Sequence, residues 1–385
     1  MKCYDYIITG AGAAGLMLAY RLGKDSFFDQ KSILILDSIE RSVDDRTWSF
    51  WEEGEGEWDG IVSKSWDSVN IANSNYHLKR SLSPYRYKMI QSKCFYQEAW
   101  SVIRSKSNMK FLKQEMVKLI PNKNNVVVYT KNSRFKAYKV FNSIPNFENY
   151  TKQKKYPVLQ QHFVGWFIKS DTSYFDPSSA TFMDFDIPQE GSTRFMYILP
   201  INSKEALVEY TVFSKQLLDY SRYESGIKSY LDRKGIANYT ILRKEQGVIP
   251  MTCYPFTAHN SLNILNIGTN GGWTKASTGY TFNNCSKKTS DLIKYLKRNS
   301  NLSNFEKTTR FYFYDMLFLD VLTTNNNLGS ELFSKLFQKV DVKTILRFLD
   351  DSTNFIEDFK IISSFPKKIF LKALIKRLFY SKFIN

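Results

Sequence analysis

Gly10, Gly12 and Gly15 stand at G-x-G-x-x-G spacing directly after the apolar run Tyr4–Thr9, and Asp37 closes a second apolar run, ILILD. That pattern is the chemistry of a pyrophosphate cradle. The first glycine permits a tight turn, the second lets the backbone approach a phosphate, and the third lets a helix sit close on its strand. A helix starting near Ala13 would aim its free N–H groups at the phosphates, while Asp37 could accept hydrogen bonds from a ribose. The bland alternative is a glycine-rich turn that only joins strand to helix. The preceding strand, the apolar helix positions Leu16, Ala19, Tyr20 and Leu22, and the acid at its interval all favour dinucleotide binding.

A second kind of chemistry is carried by lone carboxylates on apolar strands. Read as a strand, KEALVEYTVFS turns Leu207, Glu209, Thr211 and Phe213 one way and Ala206, Val208, Tyr210 and Val212 the other. Both faces are mostly apolar, so Glu209 is expected to be desolvated, which raises a carboxyl pKa toward neutrality, as a general acid requires. The competing reading is an ion pair with an arginine such as Arg194. Asp184 and Asp186, in the aromatic stretch FMDFD, are further acids whose simplest role is hydrogen bonding at a strand end.

The elements that must position these groups fall into an α/β plan. After the first βαβ unit, 41–60 is polar and glycine-bearing and reads as a long loop over the cradle, containing RTWSFW. Alternating stretches at 68–72 and 85–90, a helix over 92–105, and strands at 117–120, 126–131 and 137–142 follow, with 143–157 as an exit loop. From 159 to 213 the pattern becomes that of an antiparallel sheet, then 214–235 is helical. ILNIG, 264–268, returns as a strand ending in a second glycine-rich turn, with Gly268, Gly271, Gly272 and Gly279, before a helix near Asn283. The expected divisions are therefore 1–150 and 251–300 as two segments of one nucleotide-binding domain, 151–250 as an inserted substrate sheet, and 301–385 as a helical region.

The formal charge of +17 attracts anionic surfaces. No zinc-finger, helix-turn-helix or RNP-type pattern accompanies it, so no nucleic-acid partner is expected. Anionic lipid headgroups and a lysine-rich solvated surface remain. In the last 25 residues, Lys368, Lys372 and Lys376 form one stripe of a helix and Phe370, Leu371, Leu374, Ile375 and Leu378 another, which suits either an interfacial helix or one packed on the core. The four cysteines and three histidines are scattered, so neither disulfides nor a metal site is expected. No leader is expected before the first strand, and no run of about 18 apolar residues occurs in the sequence. The expected location is the cytoplasm.

Taken together, the fingerprint, Arg46-Thr47-Trp48-Ser49-Phe50, Gln161-His162-Phe163 with Gly165, Met183-Asp184, Arg194-Phe195 through Tyr197 to Leu199-Pro200, Leu207-Val208-Glu209, Gly247 with Ile249-Pro250-Met251, and Ser277-Thr278-Gly279-Tyr280 resemble the flavin-dependent lycopene cyclases over almost the whole chain. The resemblance implies a Rossmann-type FAD-binding domain with an inserted, mostly antiparallel substrate sheet and a C-terminal helical region. It implies FAD, active when reduced, with NAD(P)H as reductant, and FAD contacts from Gly10, Gly12, Gly15, Asp37, Arg46, Gly268, Gly271, Gly272 and Gly279. It further implies that an acyclic carotenoid such as lycopene is cyclised to β-ionone rings without net redox change, by an enzyme peripheral to the inner face of the cell membrane. Glu209 would be the proton-handling acid and Asp184 its partner, with Trp48, Phe50, Phe182, Phe195 and Tyr197 lining the substrate tunnel. Two departures stand out. Relatives usually follow the glutamate with a second acid where this chain has Tyr210, and flavoproteins tend to place an aspartate after the late glycine where it has Thr269-Asn270. A flavin-dependent prenyl reductase or hydroxylase, or a non-catalytic carotenoid-binding protein, are the alternatives.

Overall fold

The computed structural model describes residues 1–382, with side chains through Phe379. Its first sheet is built on four parallel strands in the order Met109–Lys113, Ile33–Asp37, Cys3–Thr9 and Arg134–Asn142. Such strands are buried on both faces and read as unbroken apolar runs. Ile8 and Ile35 pack under the helices Ala13–Lys24, Ser92–Ser105 and Phe282–Leu296. Ile7, Leu34 and Leu36 face the opposite way, against Val126, Val128 and Phe135 of an antiparallel meander, Met116–Pro121, Val126–Thr130 and Arg134–Asn142. The late strand Ile264–Asn266 pairs in parallel with the end of Arg134–Asn142, which returns the second glycine-rich turn to the first.

The second sheet has the order Tyr239–Thr252, Val158–Ser170, Glu205–Ser214, Thr193–Pro200, Ser179–Asp184, Ser68–Asn73, Tyr76–Ser81. All neighbours are antiparallel except Ser179–Asp184 with Ser68–Asn73. One face is covered by the helix Tyr220–Arg233, where Tyr223, Ile227 and Leu231 meet Val164, Val208, Tyr210 and Val212. The hairpin spanning 68–81 lies inside the 1–150 segment assigned to the nucleotide-binding domain, yet its hydrogen bonds are to the substrate sheet.

A small third sheet joins Thr47–Glu53, Tyr85–Gln91 and Lys64–Trp66. The expectation of a structureless loop over 41–60 is thereby corrected, since Thr47–Glu53 gains a full ladder from a partner that follows much later in the chain. The helices Arg310–Thr324, Gly329–Lys339, Val342–Leu349, Phe355–Ser364 and Lys367–Lys382 close the remaining face of the second sheet.

Candidate active site

A continuous cavity of about 650 Å³ runs from the glycine turn to the inner face of the second sheet. Gly10, Gly12, Asp37, Arg46, Gly268 and Gly279 line one end; Phe182, Phe195, Tyr197, Glu209, Thr211 and Glu245 line the other. Trp48 lies on its wall between the two and packs edge-on against Phe95 and Tyr96.

At the turn, Gly10 adopts φ +92°, and a Cβ on Gly15 would fall 1.9 Å from the Gly10 carbonyl oxygen. Gly15 therefore sets the approach of helix to strand and does not itself line the cavity. A Cβ on Gly12 would meet nothing within 4 Å, so the space above it is open to a ligand's phosphates. Asp37 Oδ2 accepts from Ala11 N at 2.6 Å and Oδ1 from Ile39 N at 3.0 Å, bracing the turn while lining the cavity.

The late loop is shaped just as tightly. Gly268 and Gly272 have φ +63° and +72°, and a Cβ on Gly271 would meet Asn266 O at 2.3 Å. Gly271 and Gly272 make the turn without lining the cavity. Asn270, in the Thr269-Asn270 stretch after the late glycine, is spent on structure: its Nδ2 donates to Asn266 Oδ1 at 2.8 Å and its Oδ1 accepts from Asn146 N at 3.2 Å. Buried Lys275 bonds Asp315 at 3.1 Å and Asp351 at 2.6 Å, fastening this loop to the C-terminal helices. Gln161 Oε1 and Thr278 Oγ1 are buried in the wall with no hydrogen-bond partner among the described residues. Such atoms cost about 1–3 kcal/mol when left unsatisfied, so they suit the polar edge of a bound ring. The residues present thus fit a flavin dinucleotide.

Glu209 is the centre of the other end. Leu207, Glu209, Thr211 and Phe213 all face the cavity, while Ala206, Val208, Tyr210 and Val212 are packed in the opposite core. The glutamate is 6% exposed and accepts from Thr211 Oγ1 at 2.5 Å. Burial pushes its carboxyl up to about 8, opposed by the Thr211 hydrogen bond and reinforced by the charge of Glu245. The alternative ion pair with Arg194 does not form: that guanidinium bonds Glu190 at 2.7 Å and Ser192 at 2.8 Å on the far face.

Asp184 is not brought to Glu209. A register shift in its strand between Thr181 and Asp184 leaves Phe182 and Met183 on the cavity and sends Asp184 toward the helix behind, where Tyr230 Oη donates to it at 2.7 Å and Lys234 Nζ lies at 3.4 Å. Phe50 is also elsewhere, stacked on Phe282 at 5.4 Å in the core under the first sheet, because strand alternation turns Ser49 and Trp51 to the cavity instead.

Residues that the sequence reading did not single out complete the chamber. Glu245 is buried and accepts from Thr47 Oγ1 at 2.8 Å. Burial pushes its carboxyl up to about 7 against that bond and against Arg243, 3.7 Å away. Tyr87 Oη lies 2.6 Å from Tyr197 Oη and 3.1 Å from Tyr280 Oη, and burial raises all three phenols. Tyr280 was visible as the last residue of Ser277-Thr278-Gly279-Tyr280. Glu245 carried only strand alternation, two residues before Gly247.

Comparison with known proteins agrees with this architecture. A family model described as lycopene cyclase protein matches residues 5–374. A lycopene beta-cyclase of Pantoea ananas is 24% identical over 265 residues, covering 65% of this chain and 63% of the relative, less than two thirds of its length. Among solved structures, a geranylgeranyl bacteriochlorophyll reductase-like protein of Thermoplasma acidophilum superposes with TM-score 0.58 at 10% identity, covering 98% of this chain and 97% of that one. A flavoprotein/dehydrogenase of Cytophaga hutchinsonii gives TM-score 0.58 at 9% identity, over 97% and 100%. Those two likenesses concern the fold, α/β with the layered sheets and C-terminal helices described above. The extent of the family match places this chain in the lycopene cyclase protein family.

Proposed function

We propose that the protein is an FAD-dependent lycopene β-cyclase, an intramolecular lyase or isomerase that closes β-ionone rings on an acyclic carotenoid. The observation that carries this reading is Glu209, a buried carboxyl that stays protonated near neutral pH inside an aromatic chamber continuous with the dinucleotide cradle. Glu209 gives its proton to the terminal double bond. The neighbouring double bond attacks the resulting tertiary cation, and loss of a different proton leaves the ring, so no atoms are gained or lost. Water would trap the cation, and the walls of Phe182, Phe195, Leu207, Phe213 and Phe337 exclude it. Phe195 and Tyr197, on the same wall, would stabilise positive charge by cation–π attraction. Gly10, Gly12, Asp37, Gly268 and Gly279 would hold FAD, which in its reduced form, kept so by NAD(P)H, would supply an electron-rich surface beside the cation.

The substrate dissolves only in lipid, and the outer helices offer a docking surface for it. Phe355, Ile356 and Phe359 are 70–73% exposed, and Leu371, Ile375 and Phe379 on the next helix are also exposed, among Lys367, Lys368, Lys372 and Lys376. Phe370 instead packs inward and Arg377 pairs with Asp320. No helix among the described residues is long and apolar enough to span a bilayer. Peripheral docking at the cytoplasmic membrane face is the arrangement these features support.

Expression in a lycopene-accumulating bacterium, followed by pigment chromatography, tests the activity. Conversion by the wild type and none by Glu209→Gln is expected; unchanged lycopene with the wild type overturns the cyclase. Stoichiometric consumption of NAD(P)H with product would instead indicate a prenyl reductase or hydroxylase.

A further inference from the structure

Glu209 and Glu245 sit on the two strands that flank Val158–Ser170, and both pair in register with the same residue, Gly165. A Cβ on Gly165 would lie 2.8 Å from Leu207 Cδ1, 3.4 Å from Glu245 Cγ and 3.5 Å from Glu209 Cβ. The missing side chain is what lets both carboxylates converge on one side of the sheet. Each has its own hydroxyl donor, Thr211 for Glu209 and Thr47 for Glu245, and both line the cavity.

The surroundings differ in sign. Facing Glu245 are Arg243 and Arg46, which favour its carboxylate, and Asp44, which opposes it. Asp44 is itself tied to Arg243 at 2.5 Å. Facing Glu209 are Tyr197 and Tyr280, neutral phenols held in the tyrosine network, and among the described residues no cation pairs with it. Burial raises both acids, but the arginines beside Glu245, with no counterpart at Glu209 among the described residues, make Glu245 the one of the pair to give up its proton first.

Resting on the cyclase reading, we propose that Glu245 is a second catalytic carboxylate, the base that removes the ring proton and returns it to Glu209. In the cycle, Glu209 loses a proton to the terminal alkene carbon, and a carbon–carbon bond forms as the second alkene's electron pair attacks the cation. The proton then lost from the ring carbon goes to the Glu245 carboxylate, and transfer from Glu245 to Glu209 restores both groups. Protons and electrons balance within the pair, and no oxidant enters. Glu245 thereby does the work that Tyr210 cannot, since position 210 points into the opposite core.

The test compares wild type, Glu245→Gln and Thr47→Val as flavin-loaded proteins with lycopene in vesicles, across pH. Glu245→Gln is expected to keep its flavin and melting temperature, to lose about 100-fold or more in turnover, and to lose the acid-side limb of the pH profile. The same variant without substrate should titrate Glu209 at lower pH, read by carbon NMR of labelled glutamate. If Glu245→Gln does not fold, Thr47→Val decides: losing a hydrogen bond to the charged form moves the acid limb to higher pH. Turnover of Glu245→Gln within about tenfold of wild type, or an acid limb left in place by either variant, overturns the proposal. A wild type that cyclises nothing overturns the cyclase reading itself, and so separates the two failures.

Discussion

Tyr87 Oη and Tyr197 Oη are 2.6 Å apart, one hydroxyl arriving from the small three-stranded sheet and the other from the strand beside Glu209. Tyr280 Oη, from the late glycine loop, bonds the same Tyr87 atom at 3.1 Å. Two sheets and the late glycine loop thus meet in one polar knot on the chamber wall. Since Tyr87 is the shared member, Tyr87→Phe would strand two buried hydroxyls and is expected to cost about 1–3 kcal/mol. Tyr280→Phe removes an end of the chain and should cost less. Chemical denaturation of both variants checks the order.

Glu209 also shapes stability against pH. Burial lifts its folded pKa to about 8, above the ordinary glutamate value of 4.5, so the unfolded chain releases its proton first. Stability is then full below about pH 4.5 and falls as pH rises, by about 1.4 kcal/mol per pH unit for this group, until about pH 8. Glu209→Gln should flatten that part of the curve and gain stability relative to wild type at the alkaline end. Urea midpoints measured at intervals through this window read it directly, and parallel curves for the two proteins would contradict the assigned burial.

The glycine turn separates ligand binding from folding. Gly12→Ala adds a methyl where nothing stands within 4 Å and φ is −79°, so melting of the flavin-free protein should be unchanged while flavin absorbance per protein falls steeply. Gly15→Ala drives a Cβ into the Gly10 carbonyl and should lower both. Retention of full flavin by Gly12→Ala would show that no phosphate approaches there.

On the outer helices, Phe355, Ile356 and Phe359 make little of the core. Changing all three to Ser should leave stability within about 1 kcal/mol and abolish sedimentation with vesicles containing phosphatidylglycerol. Wild-type binding should weaken as salt is raised, because the exposed lysines act through a screened field. Undiminished pelleting of the triple variant would remove this face from consideration.

How much of this could be read from the chain alone depended on whether the information was local. The glycine triad with Asp37 lies within one βαβ unit, and the two faces of the Glu205–Ser214 strand follow from alternation, so both were legible. Glu245 was hidden because its proximity to Glu209 depends on the order of three strands, which no short stretch encodes. Asp184 was tied to Glu209 by the resemblance alone; its local reading as a hydrogen-bonded strand-end acid is what Tyr230 and the register shift in its strand give it. The hairpin over 68–81 joined the far sheet through a parallel pairing more than a hundred residues away in the chain, a contact without local signature.

The chamber wall draws on residues from Gly10 near the start to Leu349 in the helical region. Among the described residues the lining spans most of the sequence, so a ribosome must deliver nearly all of that length before the chamber could close. Fragments or early-folding intermediates would present the acid to water, and activity should emerge late and all at once during synthesis.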